Sequence, residues 1–183
     1  MKREKHHKVF IIGFGTLFIL GVSWLVINLI SDPDAMVTGT KIPEITFIDK
    51  DRNKITLDSD NKHYTLIILF DYFCEHCRNQ LNELDKNISR LNNVKIFLLT
   101  SDLDLFKNKH TIRWRKLTGT EFIKWGIVDN KMLEKYFGWF LTPSEYLYGT
   151  GGKLVWKNSG TIKVSKIAES IKKNSSVDSL VIK

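Results

Sequence analysis

The chain has 183 residues and a formal charge of +8, enough length for one domain and an appendage. The basic excess does not point to nucleic acid, because neither a recognisable binding motif nor a basic helix with base-reading residues accompanies it. Part of it is also local: Lys2, Arg3, Lys5 and Lys8 stand against Glu4 alone, so the first eight residues hold +3 of the total.

Behind that basic tail (1–8), Val9 to Ile30 runs 22 residues without a formal charge. That length spans a hydrocarbon core of about 30 Å as a helix. It exceeds the roughly 7–15 apolar residues of a cleavable signal peptide, and Ser31 to Met36 makes a poor processing site. The segment 9–30 is therefore expected to be an uncleaved transmembrane anchor in the lipid bilayer. Lys and Arg crowd its amino-terminal side, while Asp32 and Asp34 follow it. The tail should stay cytoplasmic and everything beyond residue 30 should lie outside, on the periplasmic face of a cell membrane. Residues 31–40, with Pro33 and Gly39, read as a linker.

The domain is expected over 41–173. Glu44 to Asp49 alternates, Asp51 to Lys54 turns and Ile55 to Leu57 alternates again, which predicts a β-hairpin. Tyr64 to Phe70 is apolar on both faces, as a central strand covered on two sides should be. Leu81, Leu84, Ile88 and Leu91 then follow Cys77 at helical spacing. Val94 to Thr100 is a second buried strand, so the unit is β-α-β with parallel strands. Asn130 to Phe137 predicts a short helix. Ser144 to Tyr148 and Lys153 to Trp156 predict a second hairpin around Gly149 to Gly152, and Val164 to Ile171 a closing helix. Residues 174–183 are set aside as a carboxy-terminal tail. The sum is an α/β domain with a mixed sheet and helices on both faces.

The two cysteines, Cys74 and Cys77, sit three apart at the junction of the first central strand with its helix. A helix N-terminus offers free amides and partial positive charge to a thiolate on Cys74. Cys77 heads the apolar stripe and should face the core, one turn from its partner and placed to resolve a mixed disulfide. Other uses of the pair are less well supplied. A c-type haem site needs His where Arg78 stands. A zinc site would draw on His76 with distant His63 or His110, a thin set. A purely structural bridge would close a very short loop, where the entropic gain is smallest.

These residues resemble the thioredoxin fold, and more closely the membrane-anchored redoxins typified by TlpA and ResA. The resemblance covers about residues 39–172, including the amino-terminal hairpin and a helical insertion at about 102–141. It implies a thiol–disulfide oxidoreductase with Cys74 as nucleophile, Cys77 as resolving thiol, and Glu75 and His76 tuning the thiolate. It further implies that Thr142 and Pro143, the latter in a cis bond, and Phe73 meet the substrate chain. Partners would be protein thiols or disulfides and a membrane dithiol reductase, as in cytochrome c maturation or periplasmic thiol homeostasis, with no dissociable cofactor and no metal. Three positions depart from the pattern. Ile68 stands where thioredoxin has a buried Asp, Phe73 replaces the usual Trp, and Asp71 is the only carboxylate on the approach. Glu75 resembles the haem-thiol reductases, whereas His76 resembles the oxidising and isomerising members. Two rival classes are a peroxiredoxin-like peroxidase, whose Pro and Thr positions hold Ile67 and Asp71, and a non-catalytic tethered binding or chaperone module.

Trp114, Trp125, Trp139 and Trp156 are expected as core or rim packing rather than a ligand box. The basic–aromatic cluster from His110 to Lys116 is read as a solvated face, and Gly149 to Gly152 as a turn rather than a phosphate loop.

Overall fold

The computed structural model describes residues 18–23, 37–57, 62–107 and 110–181. Seven strands form one sheet: β1 (Thr46–Ile48), β2 (Lys54–Thr56), β3 (Tyr64–Leu69), β4 (Val94–Thr100), β5 (Ile123–Ile127), β6 (Ser144–Tyr148) and β7 (Leu154–Ser159). Their order across the sheet is β2-β1-β5-β4-β3-β6-β7. β3, β4 and β5 run parallel, and the remaining pairs are antiparallel. Among the described residues the helices beside the sheet are α1 (Glu75–Asn87), α2 (Arg115–Thr118), α3 (Asn130–Phe137) and α4 (Val164–Val181).

All six residues of β3 are buried because both sheet faces are covered. On one face Leu66 and Ile68 of β3, Leu98 of β4 and Leu147 of β6 pack with Cys77, Leu81 and Leu84 of α1 and with Val164 and Ile167 of α4. On the other, Ile67, Leu69, Leu99 and Tyr146 meet Phe47 of β1 and Leu133 and Phe137 of α3. Alternate residues of each strand therefore feed opposite cores. The helical stripe after Cys77 ends as an α-helix at Asn87 and continues as a 3-10 turn over Ile88–Leu91.

Three expectations need correction. The insertion is not wholly helical: β5 lies inside it, parallel to β4 and joined to β1 at Ile48–Ile127. Lys124 and Gly126 interrupt its apolar run, yet Gly126 is required there, because a Cβ on it would sit 2.3 Å from Cδ2 of Phe47. The closing helix does not stop near Ile171 but runs to Val181. Its Asn174, Ser175 and Ser176 side chains bond back to the carbonyls of Ser170, Lys172 and Lys173 at 2.7–2.9 Å, which keeps polar residues inside a helix. The linker also ends earlier than residue 40. Gly39 N–H donates to the Leu154 carbonyl at 2.7 Å, Leu154 N–H returns to Thr40 at 2.8 Å, and Ile42 N–H donates to Gly152 at 2.8 Å. Residues 39–42 thus lie alongside residues 152–154, at the start of β7.

Residues 36–183 form one compact unit. Among the described residues, no helix is long and apolar enough to cross a membrane. Residues 18–23 are helical and exposed. The rest of the expected 9–30 anchor, the basic tail and residues 31–36 of the linker lie outside the described residues.

Candidate active site

The site is built by the loop between β3 and α1. Asp71 organises it: its Oδ1 accepts from Phe73 N–H at 2.7 Å, and its backbone carbonyl accepts from Cys74 N–H at 3.3 Å. Arg78, one turn into α1, holds the loop from the other side, donating through Nη1 to the carbonyls of Phe73 (2.8 Å) and Tyr72 (3.2 Å). Tyr72 packs edge-on against Phe73 and against Trp114, with ring centroids 5.4 and 6.3 Å apart. The chain before the first cysteine is therefore fixed by both polar and aromatic contacts.

Cys74 is the N-cap of α1. Its backbone is extended (φ −72°, ψ 124°), and its sulfur accepts from Cys77 N–H at 3.4 Å. The sulfur so occupies the place a Ser or Asp oxygen takes in an ordinary cap. Cys74 is half-buried and Cys77 fully buried, and both are free thiols. Across the loop the Thr142–Pro143 bond is cis, and the Thr142 carbonyl accepts from Cys74 Sγ at 3.6 Å. Asp71 N–H donates to Cys77 Sγ at 3.4 Å.

The two thiols are driven apart electrostatically. Partial burial works against a charged Cys74, but hydrogen bonds from the Cys77 amide and thiol, the His76 amide and Thr142 outweigh it and lower its pKa. Deeper burial pushes Cys77 up to about 12, against some relief from the Asp71 amide. One sulfur is prepared to attack while the other keeps its proton. Iodoacetamide should therefore alkylate Cys74 with a pH midpoint below the roughly 8.5 of an ordinary thiol and leave Cys77 untouched in the folded protein. Peptide mass mapping across a pH series reads both; a single unshifted midpoint shared by the two thiols would contradict the geometry.

Glu75 and His76 both stand exposed in the first turn of α1. The contribution of residue 76 visible at the sulfur is its backbone amide. Phe73 is 71% exposed. With Trp139 (81%) and Leu141 (57%) it gives the chain around Thr142 an apolar rim. Beside it opens a cavity of about 220 Å³ lined by Phe70, Asp71, Leu133, Glu134, Trp139 and Thr142. The tryptophans thus divide: Trp114 and Trp125 are stacked in the core at 5.8 Å, whereas Trp139 faces solvent. The Arg113 guanidinium lies over the Trp114 ring at 5.3 Å, so the basic cluster is partly packing. Among the described residues no three His, Cys, Asp or Glu side chains converge on a metal position.

Sequence reasoning missed three residues here. Arg78 served only to exclude haem, although a basic residue just past the second cysteine can reach back over one turn to the loop carbonyls. Gln80 and Glu145 are both 0% exposed, a burial that local sequence does not reveal.

No family model and no curated protein matches the chain. Solved structures do. A peroxiredoxin-like protein from Aquifex aeolicus superposes with a TM-score of 0.61 at 10% identity, over 76% of this chain and 88% of its own. The thioredoxin domain of a thiol-disulfide oxidoreductase from Bacteroides vulgatus gives 0.57 at 16% identity, over 76% and 98%. A thiol:disulfide interchange protein from a Bacteroides species gives 0.59 at 19% identity, over 75% and 90%. At these identities the likeness establishes architecture: residues 36–183 have a thioredoxin-like fold, with a mixed sheet covered by helices on both faces.

Proposed function

We propose that this chain is a membrane-anchored, extracytoplasmic thiol–disulfide oxidoreductase that exchanges disulfides with protein thiols. The observation that carries the reading is the asymmetry of the pair: Cys74 caps a helix and touches the Thr142 carbonyl, while Cys77 is sealed beneath it. Cys74 attacks the client disulfide, Cys77 resolves the mixed disulfide, and the backbone at Thr142 and Pro143 receives the client chain with Phe73 beside it. Glu75 and His76 set the charge in front of the sulfur. The redox-active pair is itself the electron carrier, with no dissociable cofactor or metal. Electrons come from a partner dithiol, a membrane reductase if the protein works as a reductant in cytochrome c maturation or thiol homeostasis. The placement outside the cytoplasm rests on the 9–30 anchor and the basic residues before it.

A peroxidase is supported less well, because Ile67 is fully buried in the core and Asp71 spends its carboxylate on the loop. The test is turnover. The wild-type protein should accelerate reduction of insulin disulfides by dithiothreitol. The Cys74–Cys77 couple should equilibrate with glutathione somewhere in the roughly −270 to −120 mV range of such pairs. Hydrogen peroxide consumption without insulin reduction would move the assignment to the peroxidase.

A further inference from the structure

The cavity beside Thr142 takes no part in the exchange of electrons. It opens at the carboxyl ends of β3 and β4, where Leu69 and Leu99 stand in register. With Leu133 of α3 they give it an apolar floor. These three leucines belong to the core on the α3 side of the sheet, whereas Cys77 belongs to the core on the α1 side. The cavity is therefore separate from the resolving thiol. It meets the nucleophile through Thr142, which lines it and whose carbonyl lies 3.6 Å from Cys74 Sγ. Its volume of about 220 Å³ falls below the roughly 300–1,000 Å³ of small-molecule pockets and suits one long side chain.

The walls select the kind of side chain. Trp139, 81% exposed, supplies an aromatic wall with little packed on it. Two carboxylate residues, Asp71 and Glu134, line the cavity, and among the described residues no Lys, Arg or His does. In a chain of formal charge +8 that is a local reversal of sign. Each carboxylate is held by one oxygen: Asp71 Oδ1 accepts from Phe73 N–H at 2.7 Å, and Glu134 Oε1 from Asn130 Nδ2 at 2.6 Å. Asp71 Oδ2 and Glu134 Oε2 have no hydrogen bond or ion pair among the described residues. The acids are thus positioned but not neutralised.

We propose that this cavity is a specificity subsite for a basic side chain, Arg or Lys, standing close to the client cysteine. The proposal rests on the thiol-exchange reading and names its substrate class: protein disulfides flanked by basic residues. The aliphatic stem of Arg or Lys covers the leucines, its head meets the two open carboxylate oxygens, and the indole favours a cation. An apolar side chain would cover the same leucines but strip water from two carboxylates without pairing them. A client laid along Thr142 and Pro143 advances about 3.3 Å per residue. The residue over the cavity is then one of the roughly two on either side of the client cysteine. The net positive charge of the chain acts the other way, repelling basic clients at long range, so the preference arises at contact.

The test is a set of short cysteine peptides, supplied as disulfide-linked dimers. Arg, Gln, Phe or Glu occupies in turn each of the two positions on either side of the cysteine. The second-order rate constant for oxidation of the reduced, full-length protein is measured at about 0.15 M salt, where long-range fields are damped. At the position that meets the cavity, the Arg peptide should react about tenfold faster than its Gln counterpart, and the Glu peptide slowest. Glu134 is exposed, so its variants should fold. In Glu134→Gln the ratio of Arg to Gln rates should fall toward one. In Glu134→Arg the order should invert, whereas a mere disturbance of packing would slow every peptide alike. Equal wild-type rates for Arg and Gln, a fastest Phe peptide, or a ratio unchanged in Glu134→Gln overturns the subsite and leaves exchange standing. Failure of every peptide to oxidise the protein would sink the exchange reading itself, and the subsite with it.

Discussion

Cys74→Ser is expected to abolish disulfide exchange, and Cys77→Ser to convert the protein into a trap. The sulfur of Cys74 is the only half-accessible thiol, held between the Cys77 amide and the Thr142 carbonyl. A serine oxygen could cap α1 equally well, so the fold should survive while the nucleophile is lost. Insulin reduction should fall by at least about 10³-fold, the scale seen when an activated nucleophile is removed. Cys77→Ser removes only the second attack. Client proteins should then accumulate as mixed disulfides on Cys74, visible as reducible adducts on non-reducing gels. Activity persisting in Cys74→Ser would leave the binding-module reading in possession of the field.

Trp114→Ala should be the most damaging single change to stability outside the site. The indole is 1% exposed, stacks on Trp125 and donates through Nε1 to Asn82 Oδ1 at 2.9 Å. Emptying such a volume costs about 3–5 kcal/mol. That is a large part of the roughly 5–15 kcal/mol that holds a domain together. Its effect should also reach the cysteines, because Tyr72 rests against the same ring. The denaturant midpoint should drop steeply, and the Cys74 alkylation midpoint should drift toward that of an ordinary thiol. Trp114→Phe, which keeps the ring but not the Asn82 bond, should lie between the two. A midpoint unchanged in Trp114→Ala would show the stack to be dispensable.

Much of this organisation can be read from local pattern. The doubly apolar run at 64–70 marks a central strand, and two cysteines three apart just past its end mark the helix start. What local pattern hides is set by neighbours. β5 carries Lys124 and Gly126, and only the approach of Phe47 explains why a glycine belongs there. Glu145 sits between Ser144 and Tyr146, where an alternating strand would be expected to place a solvent-facing carboxylate. Because helices cover both sides of the sheet, neither face is wet, and the acid is interred. The Asn-Ser-Ser of 174–176 looks like a helix end, yet each side chain bonds to a carbonyl of its own helix. In each case the deciding atom lies on another element or another turn.

The strip of chain at 39–42 has a consequence beyond marking where the domain begins. A sheet's terminal strand offers a row of free amides and carbonyls on which a second molecule can zip up. Here the first residue of β7, Leu154, has its amide and carbonyl occupied by Thr40 and Gly39 of its own chain, and Ile42 covers Gly152 in the turn before it. At the opposite border β2 has only three residues, too short a template to recruit much. The stretch that enters the domain at 39–42 thus doubles as a selvedge, keeping separate copies of the domain from knitting into a common sheet.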